Sequence, residues 1–118
     1  MNKNVNIKNI IIDKPLKLDC GMTINNYSLA YETYGSLNEK KDNAILIFHA
    51  LTGDQFVSGI NPITKKEGWW SYAVGPSKAI DTDKYFVICA NVIGGCMGSY
   101  GPSEINPDTN KKYGTTFP

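Results

Sequence analysis

Arginine is absent from this sequence: all twelve basic residues among its 118 are lysine. The chain therefore has no planar guanidinium fork for gripping phosphate or carboxylate groups, and its lysines are scattered rather than gathered into a basic stripe. Both facts argue against a nucleic-acid partner. Histidine occurs once, as His49, and the three cysteines Cys20, Cys89 and Cys96 form no CxxC pair. That set makes a poor zinc site, so no metal is expected. An odd number of cysteines at irregular spacing reads as free thiols in a reducing compartment rather than a disulfide framework. No apolar run approaches the roughly 18 residues of a membrane span, and the block Ile10-Ile11-Ile12 is too short for a signal-peptide core. No membrane partner and a cytoplasmic location are the expectations. With hydrophobic content of 42% and a net charge of only +1, the chain has the makeup of a globular domain rather than a disordered one.

The residues that are present organise around Ala44-Ile45-Leu46-Ile47-Phe48. Five apolar residues in succession, bracketed by Asp42-Asn43 and by Gly53-Asp54, predict a strand buried on both faces, as in the middle of a parallel sheet. Upstream, residues 1–15 are polar and asparagine-rich and read as an N-terminal arm, mobile or forming a short edge strand. Leu16 and Leu18 alternate with Lys17 and Asp19, and a second alternating stretch carries Leu29, Tyr31 and Thr33 on one face. Together these predict an antiparallel hairpin. Gly35 through Asn43 is a polar surface loop. Downstream, a short helix is expected between Trp69 and Ile80, broken or started at Gly75-Pro76, with Trp69 and Trp70 on different faces of it. Tyr85 through Ala90 predicts a second buried strand, and everything past Asn91 reads as loop. The order gives an α/β fold with a mixed sheet, antiparallel strands first and parallel strands after. A loop of more than twenty residues ending on a proline is unusual for a compact domain, so residues 16–118 read as the front part of a larger one.

Two turns carry candidate chemistry. His49-Ala50-Leu51-Thr52-Gly53 follows the strand at 44–48, at the end of a sheet where α/β proteins bind ligands. Its backbone N–H groups could face an oxyanion; equally, it reads as a polar turn whose His49 ring satisfies neighbouring backbone groups. Gly94-Gly95-Cys96-Met97-Gly98 has the form of a nucleophile elbow with cysteine for serine, yet Ser99-Tyr100-Gly101-Pro102 after it is a poor helix start. It reads also as a glycine loop beside a pocket, while a Cys96–His49 dyad would require a depressed thiol pKa. None of the seven serines lies in G-x-S-x-G, and the single histidine precedes any nucleophile. The Ser…Asp…His order of an α/β-hydrolase triad cannot be assembled from these residues.

Several segments together resemble one family. They are Leu29-Ala30-Tyr31-Glu32-Thr33-Tyr34-Gly35, His49-Ala50-Leu51-Thr52-Gly53-Asp54, Gly68-Trp69-Trp70 and Tyr85-Phe86-Val87-Ile88-Cys89. The longest is Asn91-Val92-Ile93-Gly94-Gly95-Cys96-Met97-Gly98-Ser99, continuing to Phe117-Pro118. From about residue 16 onward the chain is similar to the N-terminal third of the homoserine O-acetyltransferases, α/β-hydrolase-superfamily enzymes of methionine biosynthesis. The resemblance implies an incomplete α/β-hydrolase fold, an N-terminal hairpin plus the first parallel strands, truncated before the nucleophile elbow. It implies a reaction in which a serine takes an acetyl group from acetyl-CoA and passes it to the hydroxyl of L-homoserine, with acetyl-CoA as acyl donor and no permanently bound cofactor. A homodimer is implied for the full-length protein. None of the triad carries over, since serine, aspartate and histidine lie downstream of the matched region. Leu51 does carry over, as an oxyanion-hole donor through its backbone N–H. His49, Ala50, Thr52 and Gly53 shape its turn, and Gly94, Gly95 and Cys96 flank the pocket. The fragment alone is expected to be inactive. A non-catalytic ligand-binding or pseudoenzyme remnant, or a succinyl-transferring relative acting on homoserine or serine, is the alternative.

Overall fold

β-Branched and aromatic side chains crowd two stretches of this sequence, and both become strands of one sheet. The computed structural model describes residues 6–118. In chain order the strands are Asn9–Ile12 (β1), Leu16–Lys17 (β2), Thr23–Ile24 (β3), Tyr27–Tyr34 (β4) and Ala44–Ile47 (β5), then Val74–Gly75 (β6), Ile80–Asp81 (β7), Phe86–Ala90 (β8), Ile105–Asn106 (β9) and Lys111–Lys112 (β10). The main sheet has four strands in the order β1-β4-β8-β5. Strand β4 runs antiparallel to both β1 and β8, whereas β5 and β8 are parallel. This is the mixed sheet that the sequence predicts.

The hairpin is built differently from the expectation. β2 pairs with β3 over two residues each, Leu16 opposite Ile24, and the long strand β4 takes β1 as its partner instead. The stretch read as an N-terminal arm thus supplies an edge strand at Asn9–Ile12, while residues 1–5 of it lie outside the described residues. Lys8 reinforces that edge: its ammonium donates to Glu32 Oε1 at 2.5 Å and to Thr33 Oγ1 at 2.9 Å. The Leu16–Asp19 alternation marked a real strand but gave no information about its partner.

One face of the sheet is covered, and the other is open at β5. Ile47, Val57, Val74, Val87 and Cys89 form the core, with Tyr34, Ile45, Trp70 and Ile80 packed against it. The register opposes Ile45 to Val87 and Ile47 to Cys89, so these four point to the covered side. Leu46 and Phe48 then point the other way and are 58% and 80% exposed. Burial of β5 on both faces is therefore not seen: its side chains suit two covers, and the described residues supply one. Strand β5 also ends the sheet, with one edge unpaired. The Cα radius of gyration, 16.0 Å, exceeds the roughly 13.5 Å that size scaling gives for a compact domain of this length.

The cover comes from the connection between β5 and β8, and it contains no helix. Where a helix was expected between Trp69 and Ile80, the chain makes tight turns and the short parallel pair β6–β7. The physical reason lies in the turn after β6, where Ser77 adopts φ +56°. The Asp81 carboxylate accepts the N–H groups of Ser77 at 3.0 Å and Asp83 at 3.1 Å. Those two donors, and then Lys84, hold its carboxyl below the usual range. No helix separates the two tryptophans, yet they divide between surface and core as expected: Trp69 is 41% exposed and Trp70 packs against the core, their rings stacked with centroids 5.7 Å apart and 11° from parallel. Past Asn91 the chain is mostly loop, as expected, with the β9–β10 hairpin and a 3-10 turn at Gly114–Thr116 added. That turn is the only helical element among the described residues, so none of their helices is long and apolar enough to cross a membrane. Gly35 closes β4 at φ +73°, where an added Cβ would lie 2.2 Å from the Tyr85 carbonyl oxygen; no other residue fits that approach.

An unpaired strand edge beside an apolar face is a template for association. Purified alone, the 118-residue chain is expected to self-associate, with sedimentation showing species that grow with concentration. Leu46→Lys combined with Phe48→Lys should shift the distribution toward monomer. A monomeric unsubstituted chain with a sharp cooperative melt would contradict this reading.

Candidate functional site

The parallel pairing of β5 and β8 brings their carboxyl ends side by side, and the two candidate turns leave from those ends. After Phe48 the chain folds into a turn closed by Gly53, whose N–H donates to the Ala50 carbonyl at 2.8 Å. His49 Nδ1 lies 2.8 Å from the same oxygen. Leu51 and Thr52 occupy the tip, and Leu51 is 96% exposed. Among the described residues the Leu51 N–H meets no hydrogen-bond acceptor. This arrangement has a simple cause. In a trans peptide the C=O and N–H point in opposite directions. The Ala50 carbonyl is turned toward Gly53 and His49, so the Leu51 N–H in the same peptide unit faces away from them.

The second turn is built on Asn91, which is 1% exposed. Its backbone N–H donates to Ala30 O at 2.8 Å, continuing the pairing of β4 beyond β8. Its side-chain Oδ1 accepts the Met97 N–H at 3.2 Å, which leaves Nδ2 facing His49 Nε2 at 3.3 Å. Its carbonyl accepts Ser99 Oγ–H at 2.5 Å, and Ser99 Oγ accepts the Ala30 N–H at 2.9 Å. Gly95 sits against this knot: a Cβ there would lie 2.6 Å from Asn91 Oδ1 and 2.8 Å from the Val92 carbonyl oxygen. A glycine is needed for close approach, not for turn geometry. Gln55, 0% exposed, adds a further tie from its Nε2 to the Met97 carbonyl at 2.8 Å.

His49 joins the two turns. Its Nε2 accepts the Val92 N–H at 3.3 Å and faces Asn91 Nδ2, both of which are donors. The lone pair is therefore on Nε2 and the proton on Nδ1, where Ala50 O accepts it. With both ring nitrogens engaged, His49 has no free base to offer, and the reading of its ring as a partner of nearby backbone groups is the one the geometry matches. Cys96 is exposed, and none of the hydrogen bonds of the His49 ring goes to it. A Cys96–His49 dyad is not formed. The buried thiol in this region is Cys89. Burial, then the nearby Asp54 charge, push it up to about 11, opposed by a backbone contact from His49.

Asp54 fixes the exit from the first turn: Oδ1 accepts the Phe56 N–H at 2.8 Å, Oδ2 accepts Asn61 Nδ2 at 3.2 Å, and its carbonyl accepts Trp69 Nε1–H at 2.9 Å. The sequence reading missed Asn91, Gln55 and Ser99 as parts of the site. For Asn91 a signal existed: a polar residue ending a buried strand, with Gly94-Gly95 following. Gln55 and Ser99 act through partners 42 and 69 residues away, and no local pattern encodes such contacts. Among the described residues no group of three or more His, Cys, Asp or Glu side chains could hold a metal ion.

Comparison with known proteins adds to this geometry. The chain is 96% identical, over all 118 residues, to a homoserine O-acetyltransferase of Pelagibacter ubique strain HTCC1062. It resembles the homoserine O-acetyltransferases. That match spans 32% of the curated protein, so the chain corresponds to about a third of its relative's length. The crystal structure of the homoserine O-acetyltransferase from Bacillus anthracis superposes with a TM-score of 0.83 at 34% identity, covering 96% of this chain and 32% of that one. The structure of esterase E22 gives 0.82 at 33% identity with the same coverage. The fold is accordingly part of an α/β-hydrolase fold. No family model matches the chain.

Two outcomes are expected in a homoserine O-acetyltransferase carrying this chain in place of its own matching segment. Cys89, a thiol at pH 8, should resist iodoacetamide until the protein is unfolded; equal labelling rates with and without denaturant would refute the burial argument. Asn91→Ala removes the acceptor of the part-buried Met97 N–H and the side-chain packing of a residue 1% exposed, so stability should fall by about 1–3 kcal/mol. Denaturant titration checks this, and an unchanged midpoint would sink it.

Proposed function

We propose that this chain is part of an acyltransferase that moves an acetyl group from acetyl-CoA to the hydroxyl of L-homoserine through an acyl-serine intermediate. The observation that carries the reading is the unpartnered Leu51 N–H at the carboxyl end of β5, in a chain 96% identical to a homoserine O-acetyltransferase. In the reaction, a serine oxygen attacks the thioester carbon and the carbonyl oxygen becomes an anion. Collapse of that intermediate breaks the C–S bond and releases CoA. The hydroxyl of homoserine then attacks the acyl-serine through a second anion of the same shape. A backbone donor aimed at that oxygen contributes in both steps, a single donor being worth about 2.7–4 kcal/mol of transition-state stabilisation. A backbone N–H is suited to the task, since it needs no proton transfer and is fixed before the charge appears.

The serine, aspartate and histidine of the mechanism are read as belonging to the remainder of the protein. His49 is not a substitute base, because its Nε2 already accepts the Val92 N–H. Glycines 94 and 95 are read as lining the pocket beside the Leu51 turn, and Cys96 as a bystander there. Cytoplasmic location, homodimeric assembly and a place in methionine biosynthesis are parts of the same proposal. The likeness to esterase E22 supports the acyl-serine half of the reaction in particular, since an esterase and a transferase differ in what attacks the acyl group.

The test is the substituted enzyme described above. With acetyl-CoA and L-homoserine it is expected to release thiol and form O-acetylhomoserine, with succinyl-CoA and L-serine as poor replacements. The isolated 118-residue chain should show no turnover. Preference for succinyl-CoA, hydrolysis without transfer, or an inactive substituted enzyme would each overturn the assignment.

A further inference from the structure

We propose that His49 is a positioning residue for the Leu51 N–H, an inference that rests on the oxyanion reading of that group. The peptide unit between Ala50 and Leu51 carries the donor, and its orientation is set from the carbonyl side. Two hydrogens converge on Ala50 O: the Gly53 N–H at 2.8 Å and the His49 Nδ1–H at 2.8 Å. The first bond is internal to the turn and moves with it. By itself it fixes the shape of the turn but not its direction relative to the sheet. The second bond belongs to a ring whose opposite nitrogen is held by a different strand's exit, through the Val92 N–H and Asn91 Nδ2, each at 3.3 Å. Asn91 is itself immobilised by Met97, Ala30 and Ser99. A continuous path of hydrogen bonds therefore runs from the end of β8 through the imidazole to the peptide that presents the Leu51 N–H.

Imidazole suits this role because a donor and an acceptor lie on opposite sides of one rigid ring. An asparagine at position 49 could reproduce the Nδ1–H contact to Ala50 O, and a glutamine could reproduce the Nε2 contact to Val92, but neither makes both. The exposed tip also needs the brace. Among the described residues Leu51 has almost no packing of its own, so within this part of the protein hydrogen bonds rather than side-chain burial hold the turn. A donor displaced by about 1 Å from the developing charge costs on the order of 100-fold in rate.

The experiment uses the homoserine O-acetyltransferase carrying this chain, with His49→Ala, His49→Asn and His49→Gln variants. His49→Ala is expected to lower kcat roughly 10- to 100-fold, with the KM for both substrates changed by no more than about threefold. A brace for the donor acts on the transition state, which has the charge, more than on bound substrate. Asn and Gln should each recover part of the loss. Ring 15N shifts in the unsubstituted protein should report the proton on Nδ1. Amide exchange at Val92 should accelerate in the Ala and Asn variants and stay slow in Gln. A kcat for His49→Ala within twofold of the parent overturns the proposal, as does a loss carried entirely by KM, or a proton on Nε2. If the parent itself shows no turnover, the acyltransferase reading fails separately. The ring shifts and Val92 exchange then still decide whether His49 braces the turn.

Discussion

Strand β8 is the piece on which the rest depends, because it is bonded along both edges to strands of opposite direction. On one side it meets β4 antiparallel, and on the other β5 parallel. The antiparallel side ties in the N-terminal strands; the parallel side places two strand ends, and hence two turns, next to each other. A parallel neighbour requires a long crossover, and here that crossover supplies the cover for the sheet. Val87 and Cys89, both fully buried, are where the strand meets its cover.

Much of this was legible in the sequence, and the failures follow a pattern. The strands at 44–47 and 86–90 announced themselves through runs of β-branched and aromatic residues, and the turn residues at Gly53 and Gly94-Gly95 marked where they end. What could not be read was pairing. Leu16-Lys17 looked like the partner of the long strand, yet Asn9–Ile12 took that place, since alternation reports a half-buried strand and not its neighbour. The helix expected near Trp69 failed because an Asp81 carboxylate and a left-handed Ser77 stabilise a turn there, a local competition that residue propensities do not settle.

At the candidate site the same division holds. Leu51 was singled out by resemblance, and the structure adds the reason its N–H faces outward: the carbonyl of the same peptide is bound on the other side. Gly53 and His49, which bind that carbonyl, were legible as turn residues, whereas Gln55 and Ser99 were not, because their partners lie far along the chain. The fully buried Gln55 and Asn91 are polar side chains in positions where an apolar one would pack more cheaply. Each meets backbone groups of a loop that has no regular structure to satisfy them. Irregular backbone at a sheet end is held by such side chains in place of a ladder.

Ser99 and Asn91 act as a pair. The hydroxyl of one meets the carbonyl of the other, and both meet the two backbone groups of Ala30. Both ends of the segment from 91 to 99 are thus clasped to a single residue of β4, which makes the segment a closed ring of fixed circumference. Adding or removing a residue inside it would break the clasp or push Gly95 into Asn91. Changes of length are better absorbed at the solvent-exposed 107–110 turn between β9 and β10, which is not clasped to the main sheet. The ring thus acts as a ruler, setting how far the chain travels from the end of β8 before it returns to the sheet.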